Sequence, residues 1–238
     1  MRRLNRSQRR KQLGLSMVEL MVGVTVGMIV VAGAVTMVVS QITEHRRLML
    51  ETQVQQDLRA AADMMMREMR RAGFWEQAQA GVWSPGTSTP LLNNPYVAMT
   101  PASAAAGQSS VAFSVSSADR NSVPENNLAD PAERFGFSLQ DDTLEYTLAG
   151  DKQPLTDPHI LKITGFSVKL DVQTVGLQDF CPGSACDPAT MQCPAVEVRA
   201  VTVTIAGEAT HDPAVKREVV VRSRLRNDNV TGAGSCPA

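Results

Sequence analysis

The sequence predicts an α+β protein in which one long N-terminal helix packs on an antiparallel β-sheet. Two observations favour this class: apolar residues recur at the helical period in the first third of the chain, and alternating strand patterns fill the last part. The chain has 238 residues, 43% of them hydrophobic and 20% charged. This composition excludes a polytopic membrane protein, a collagen-like chain and a wholly disordered one.

Charge is distributed unevenly along the chain. Residues 1–14 contain six cations and no acid: Arg2, Arg3, Arg6, Arg9, Arg10 and Lys11. Without these six, 17 basic and 24 acidic residues remain, a net charge of −7. A basic terminal arm on an acidic chain is not the pattern of a nucleic-acid-binding domain, so no nucleic-acid partner is expected.

Residues 20–39 form an uncharged, largely apolar run of twenty residues. As a helix, this run would extend roughly 30 Å, the thickness of a bilayer core. Basic residues precede it, which predicts a cytoplasmic N-terminus and export of everything after about Ser40. No second run of this length follows, so a single-pass topology is expected.

Three interpretations of this segment compete. The first is a plain membrane anchor, and the second is an ordinary secretory signal cleaved after Ala32-Gly33-Ala34. The second is opposed by Glu19, a carboxylate inside what would be the apolar core of the signal. The third interpretation starts from Glu19, because a carboxylate at the edge of a membrane segment is costly and should have a partner and a function.

The order of basic arm, Gly14, Leu15, Glu19 and apolar run resembles the type III signal of type IV prepilins and pseudopilins. The resemblance implies that a prepilin peptidase cuts after Gly14 on the cytoplasmic side and methylates the new amino terminus of Leu15. Glu19 then occupies the fifth mature position, where this family has a characteristic glutamate. The family usually has Phe or Met at the first mature position, so Leu15 departs from its pattern.

A role for Glu19 in assembly also follows from electrostatics. An ionised carboxylate in a bilayer or filament core needs a nearby cation, and cleavage after Gly14 creates the α-amino group of Leu15. That amine belongs either to the same helix, about one turn away, or to an adjacent subunit, where the pair would set the axial register. Gly23 and Gly27 form a GxxxG pattern, which is either a helix-packing face or merely the common occurrence of glycine in membrane helices.

The helix is predicted to continue beyond the membrane and to span 15–72. Apolar residues recur at a mean spacing close to the helical period, and Gly73 is a suitable C′ residue. These positions are Leu50, Val54, Leu58, Ala61, Met65, Met69 and Ala72. The nearby methionines, including Met64 and Met66, are interpreted as core packing residues rather than a ligand site.

The remaining chain shows strand signals at 110–116, 135–139, 143–148, 160–174, 196–205 and 218–225. The second and third strands flank Gln140-Asp141-Asp142, which predicts a hairpin, and the last two strands are expected to pair. Asp141, Asp142 and Asp151 are interpreted as turn residues, with calcium binding as the less favoured alternative.

The order of these elements resembles PilW-type minor pilins. The resemblance rests on Arg70-Arg71-Ala72-Gly73-Phe74, on Leu144-Glu145-Tyr146 before Pro154-Leu155, on the segment from Ile163 to Val168, and on Leu225-Arg226-Asn227. It implies a pilin-like fold with a cleaved leader (1–14), a long helix (15–72) with a transmembrane segment at about 15–39, and a β-rich periplasmic domain (73–238).

The same resemblance implies a minor pilin, a low-copy structural subunit in the initiation or tip of a type IV pilus, and through the pilus a part in adhesion or motility. Its partners would be prepilin peptidase, other minor pilins, the major pilin and the inner membrane. The chain would pass from the inner membrane into the pilus. The alternatives are a J-like pseudopilin of type II secretion, with pseudopilin partners, and a membrane-anchored periplasmic binding protein or enzyme.

The four cysteines all lie late in the chain, at Cys181, Cys186, Cys193 and Cys236. Export to an oxidising compartment favours disulfides, and of the three possible pairings we expect Cys181–Cys186 and Cys193–Cys236. The histidines His45, His159 and His211 are scattered and form no zinc pattern. No motif of a nucleophile elbow, phosphate loop or zinc protease occurs, so neither enzymatic activity nor a cofactor or metal is expected.

Overall fold

The structure is a computed structural model that describes Gly14, residues 16–81, 92–100, 109–116, 124–177, residue 179 and residues 193–231. These residues form the helix α1 (Met17–Met69), short 3-10 helices at Ala78–Gly81 and Pro131–Glu133, and nine strands. The strands are β1 (Met99–Thr100), β2 (Ser110–Ser114), β3 (Arg134–Gln140), β4 (Thr143–Leu148), β5 (Asp151–Pro154), β6 (Leu161–Gly176), β7 (Ala195–Ala209), β8 (Asp212–Arg224) and β9 (Asn229–Thr231). The chain divides into two compact units between Met49 and Leu50.

The two ends of α1 differ slightly from the predicted span of 15–72. At the start, the backbone carbonyl of Ser16 accepts the Leu20 N–H at 3.1 Å. At the end, α-helical geometry gives way after Met69 to a tighter turn, in which the N–H of Ala72 bonds to the carbonyl of Met69 at 3.0 Å. Gly73 follows with φ +75°, the left-handed conformation that closes many helices, as predicted.

The first unit contains the apolar half of α1. This helix is the one among the described residues that is long and apolar enough to cross a membrane, and none of its most apolar window is buried. The threonine hydroxyl groups in this half bond to carbonyls of the preceding turn, as Thr25 does to Val22 at 2.9 Å and Thr36 to Gly33 at 2.8 Å. The helix therefore satisfies these polar groups internally, as a segment in lipid must.

The second unit contains two antiparallel sheets, where the sequence predicted a single sheet. The first sheet has the order β1-β2-β3-β4-β5. Its β3–β4 hairpin confirms the prediction, with Gln140 opposite Thr143 and with Asp141 and Asp142 at φ 48° and 60°. Two successive residues at positive φ define the type I′ turn that matches the twist of paired strands.

The second sheet has the order β6-β7-β8, with β9 also paired to β7. The pairing of β7 with β8 was predicted, although β8 begins at Asp212, earlier than the expected residue 218. Pro154 and Pro158 flank the segment between the two sheets, and neither can donate a backbone hydrogen bond to extend a ladder. One bond, from the Ile163 N–H to the Asp142 carbonyl at 2.9 Å, joins β6 to the β3–β4 turn.

The core lies between the sheets and the part of α1 that follows Met49. Six of the seven predicted apolar helix positions are buried, and Leu50 is half-buried. Ala62 and Met66 are buried as well, which widens the predicted stripe. Met65, Met66 and Met69 belong to the core cluster with residues of both sheets, which confirms that these methionines are packing residues, whereas Met64 is exposed.

Candidate functional site

The predicted processing and assembly residues lie at the start of α1. Gly14 is exposed, whereas Leu15 lies outside the described residues. Glu19 is exposed in the first helical turn, and its carboxylate has no ion-pair or hydrogen-bond partner among the described residues. No described residue therefore neutralises the acid, and the helix N-terminus beside it favours negative charge.

The two glycines of the GxxxG pattern lie on the same side of α1 as Glu19. Glu19, Gly23 and Gly27 are spaced four residues apart, which keeps them on adjacent turns of one side of the helix. A Cβ atom built at either glycine would have no neighbour within 4 Å. This side of the helix is thus smooth, open and headed by a carboxylate, as close approach of another helix requires.

A second group of residues forms where α1 ends, and we call it the helix-end junction: Arg70–Phe74, Arg199 and Leu225–Asn227. The Arg226 N–H bonds to the carbonyl of Arg70 at 3.1 Å, and the Asn227 side-chain amide reaches the carbonyls of Arg71 and Ala72 at 3.2 Å. Carbonyls at a helix C-terminus lack partners within the helix, so the closing segment of the domain caps α1. Two segments quoted for the PilW-type resemblance therefore contact each other directly.

Arg199 is the buried centre of the helix-end junction. Only 4% of it is exposed, and its guanidinium donates to the carbonyl of Val97 at 2.6 Å and to that of Asn227 at 2.8 Å. Burial lowers the pKa of Arg199, and the carboxylates of Glu197 and Asp228 partly offset this effect. An arginine nevertheless stays protonated, so the junction contains a buried positive charge beside the negative end of the helix dipole.

Gly73 makes room for that guanidinium. A Cβ atom at this position would lie 2.6 Å from Nη2 of Arg199, and φ is in the left-handed region. Gly73 was predicted from the sequence as the residue that ends the helix, whereas Arg199 was not identified. The available signal was its position in β7, where residues 199, 201, 203 and 205 share the inward face and only the first is charged.

The other segments quoted for the PilW-type resemblance also meet in the fold. Residues of β4 pair with β5, so that Glu145 lies opposite Pro154, and the Leu155 N–H bonds to the carbonyl of Leu144 at 2.7 Å. The segment beginning at Ile163 bonds to the β3–β4 turn described above. Each quoted segment therefore contributes to joining the elements of the domain.

Three polar side chains meet under the loop before β3. The buried Tyr96 hydroxyl lies 2.8 Å from Glu125 and 2.9 Å from Glu133. Burial and the two carboxylates raise the pKa of Tyr96 above its usual range. Burial also acts to raise the pKa of Glu125, but hydrogen bonds from Ser116, Tyr96 and the Asn127 backbone outweigh it and lower that pKa. These bonds hold the described part of the loop, from Pro124 onward, on the domain.

The cysteines are only partly described. Cys193 is disulfide-bonded, whereas Cys181, Cys186 and Cys236 lie outside the described residues. β9 pairs with the start of β7, with Ala195 opposite Thr231. The chain after β9 therefore begins beside the strand that leads back to Cys193, as the predicted tail disulfide requires.

The described ranges offer no metal site. Within them, no group of three or more His, Cys, Asp or Glu side chains has an arrangement that could hold a metal ion. Asp141 and Asp142 occupy the type I′ turn, and Asp151 begins β5 opposite Leu148. These aspartates therefore lie in a turn and at the start of a strand.

Comparison with known families gives two matches. The family described as "Prepilin peptidase-dependent protein B" matches residues 47–225, about three quarters of the chain. The "Prokaryotic N-terminal methylation motif" matches residues 9–35, a range that includes Gly14, Leu15, Glu19 and both glycines of the GxxxG pattern. No curated protein and no solved structure matches the chain significantly.

Proposed function

The chain belongs to the prepilin peptidase-dependent protein B family and is a type IV prepilin-like, membrane-anchored protein; from this premise we propose that it is a minor pilin. In this role it is a low-copy structural subunit that takes part in the initiation or tip assembly of a type IV pilus. The low copy number follows from the resemblance of its domain segments to PilW-type minor pilins.

The observation that carries the proposal is the division of α1 into an inner half (17–49) and an outer half (50–69) with different surroundings. Residues Val54, Leu58 and Met69 of the outer half are at most 1% exposed, because the domain covers them. Val22, Ile29 and Val38 of the inner half are more than half exposed. An anchored helix that presents an uncovered apolar half is what a subunit needs if it rests first in a bilayer and then among other helices.

Processing is the first part of the proposal. Prepilin peptidase cleaves after Gly14 in the cytoplasm, and the amino group of Leu15 becomes methylated. Mass spectrometry of the mature N-terminus tests this step and is expected to show methylated Leu15. A start at Val35 would identify an ordinary secretory signal, and an intact Met1 would identify a plain anchor.

Assembly is the second part. Glu19 pairs with the Leu15 amine of an adjacent subunit, and Gly23 and Gly27 allow the two helices to approach closely. The open side of the helix and the unpartnered carboxylate support this role. The domain acts as a structural module, and the polar groups described in it make caps, turns and loop anchors rather than a convergent catalytic site.

The proposed location follows from the basic leader that precedes the span. The basic leader stays in the cytoplasm and the domain lies in the periplasm, so the chain spans the inner membrane. From there it is incorporated into a filament. In this location it meets prepilin peptidase, the other minor pilins and the major pilin. The periplasm also permits the disulfide at Cys193.

The function is tested by recovering the membrane-extracted full chain and identifying its partners by mass spectrometry. Minor pilins and the major pilin are the expected partners, and the chain is expected in small amounts in sheared filaments. The matched control is Gly14→Val, which alters the cleavage junction and leaves the domain unchanged, and it should stay in the membrane. Partners from a type II secretion system would instead identify the chain as a J-like pseudopilin, and recovery without any prepilin-class partner would contradict both roles.

A further inference from the structure

A groove runs along one side of the outer half of α1, within the second unit. It has a volume of about 340 Å³ and lies between α1 and the segment that connects β5 to β6. Its lining includes Asp57, Ala60 and Met64 from the helix and Thr156, Asp157 and Ile160 from the connection. Ala60 and Met64 follow Asp57 at helical spacings of three and seven residues, so they continue one side of the helix.

The groove combines an apolar surface with two carboxylates that have no cationic partner among the described residues. The side chain of Asp57 has no hydrogen bond or ion pair to any described residue. The carboxylate of Asp157 accepts one hydrogen bond, from the backbone N–H of His159 at 2.9 Å, and no described cation pairs with it. Both carboxylates therefore have free lone pairs toward the groove that a donor from outside can use.

Thr156 adds a third polar feature. It is 8% exposed, and its hydroxyl oxygen accepts the Leu144 N–H at 3.1 Å. The oxygen has a second lone pair, and the hydroxyl proton has no acceptor among the described residues. The rest of the surface is apolar, with Ala61 and Leu161 buried beneath it and Met64 38% exposed at its edge.

We propose that this groove receives a lysine or arginine side chain of a neighbouring prepilin-class subunit. The aliphatic stem of that side chain lies on Ala60, Met64 and Ile160, and its cationic head bonds to Asp57 and Asp157. Lysine and arginine have this amphipathic form, an apolar stem with a charged end. Two carboxylates on an otherwise apolar surface complement one such head, and the partial desolvation strengthens the pairing.

The inference rests on the proposed function, since it assumes that prepilin-class subunits surround this domain. The groove lies on the same helix as Glu19 but in the domain-covered half. It therefore gives the assembly a second contact, made in water rather than in the membrane. Glu19 would govern the contact between membrane helices, whereas the groove would govern which subunit the periplasmic domain accepts.

Charge reversal in the full chain tests the proposal. Asp57→Lys and Asp157→Lys are each expected to lower co-recovery of the partner subunit about tenfold, since they place like charges together. Asp57→Asn should give a smaller loss, because it keeps the shape and removes only the charge. Asp63→Lys is the matched control on the same helix, as it is exposed and outside the groove lining, and it should leave co-recovery unchanged.

A photo-crosslinking amino acid at Ala60 identifies what occupies the groove. The expected product joins position 60 to a lysine- or arginine-containing peptide of a prepilin-class subunit, and Asp57→Lys should reduce its yield. If Asp57→Lys reduces co-recovery and a Lys→Glu or Arg→Glu change in the crosslinked peptide restores it, the two side chains form a pair. Crosslinks only to lipid, to a second copy of this chain, or to a protein without a prepilin signal would overturn the proposal.

Failure of the groove contact and failure of the minor-pilin role give different experimental results. If the wild-type chain is recovered with pilins and Asp57→Lys and Asp157→Lys behave like wild type, the groove is not a docking site and the minor-pilin role stands. If the wild-type chain is recovered with no prepilin-class subunit, the proposed function fails and the groove proposal fails with it. Unfolding curves of both variants should match wild type, which separates lost docking from lost folding.

Discussion

The two halves of α1 are one continuous helix, yet they relate to the rest of the chain in opposite ways. In the outer half, Leu58 is fully buried and Met65 lies in the core. In the inner half, Leu20 is 58% exposed, and a Cβ atom at Gly23 or Gly27 would touch nothing within 4 Å. The outer half is therefore explained by contacts within the domain, whereas these inner-half positions are exposed, so packing against the described residues does not account for their apolar character.

This difference separates residues that stabilise the folded domain from residues that interact with the membrane or with other subunits. Apolar side chains in the outer half stabilise the domain, so changes there should lower its free energy of unfolding. The inner half contributes nothing to that quantity, so changes there should appear only in insertion, processing or assembly. Substitutions of the same kind in the two halves can test this separation.

The largest expected effect on the domain comes from a matched leucine pair. Leu58→Ala should lower the free energy of unfolding by about 3–5 kcal/mol, because it removes a fully buried side chain and leaves a cavity. Leu20→Ala should change it by less than about 0.5 kcal/mol. Denaturant unfolding of the full chain in detergent micelles, followed by tryptophan fluorescence, measures both. Equal losses would show that the two halves are not separate in this sense.

The disulfides should give the next largest effect, and only on the domain. We predict that Cys193 is linked to Cys236, and that removing both by alanine lowers the free energy of unfolding by about 2–4 kcal/mol. The control is the Cys181→Ala, Cys186→Ala pair, which closes a much shorter loop and should cost less. Non-reducing peptide mapping establishes the connectivity first. A bond from Cys193 to Cys181 or Cys186 would contradict the prediction.

A matched glycine pair sharpens the comparison at a smaller scale. Gly73→Ala should cost about 2 kcal/mol, because alanine is strained at positive φ and its Cβ displaces the Arg199 guanidinium from the Asn227 carbonyl. Gly27→Ala has open space around it and should leave domain unfolding unchanged. In an Arg199→Met background, Gly73→Ala should lose only the backbone part, about 1 kcal/mol. An unchanged cost there would show that the crowding is not with Arg199.

The long elements were predictable from the sequence because their own pattern determines them. The helical spacing of apolar residues in the outer half predicted the buried face of α1, and the alternation of apolar and polar residues predicted β7. The short strands were not predictable, since β1, β5 and β9 have two to four residues each. All four residues of β5 are exposed, so its neighbour β4, rather than its own composition, makes it a strand.

The same physical distinction applies to the candidate sites. Gly14, Leu15 and Glu19 were found because a charge and a glycine interrupt a simple pattern at fixed spacing. The helix-end junction and the groove were not found, because each joins residues that are far apart in the chain. Arg199 and Gly73, for example, lie side by side only because the fold brings β7 to the end of α1, and the division into two sheets likewise depends on long-range pairing.

Glu19→Ala should have the smallest effect on the domain and a large one on assembly. Glu19 lies in the first unit and has no described partner, so the free energy of unfolding should not change. Removal of a carboxylate from the edge of an apolar segment should make membrane insertion easier, and cleavage after Gly14 should persist because the junction is intact.

What Glu19→Ala should lose is incorporation into filaments. The substitution removes the attraction to the Leu15 amine of an adjacent subunit and leaves that amine without a partner in a low-dielectric setting, which costs several kcal/mol. Glu19→Asp should be intermediate, since it keeps the charge and shortens the reach. The measurement compares the amount in sheared filaments with the amount in membranes for each variant. Undiminished incorporation of Glu19→Ala would mean that the carboxylate pairs within its own helix. The contact of the inner half with other subunits would then depend on Gly23, Gly27 and apolar packing alone.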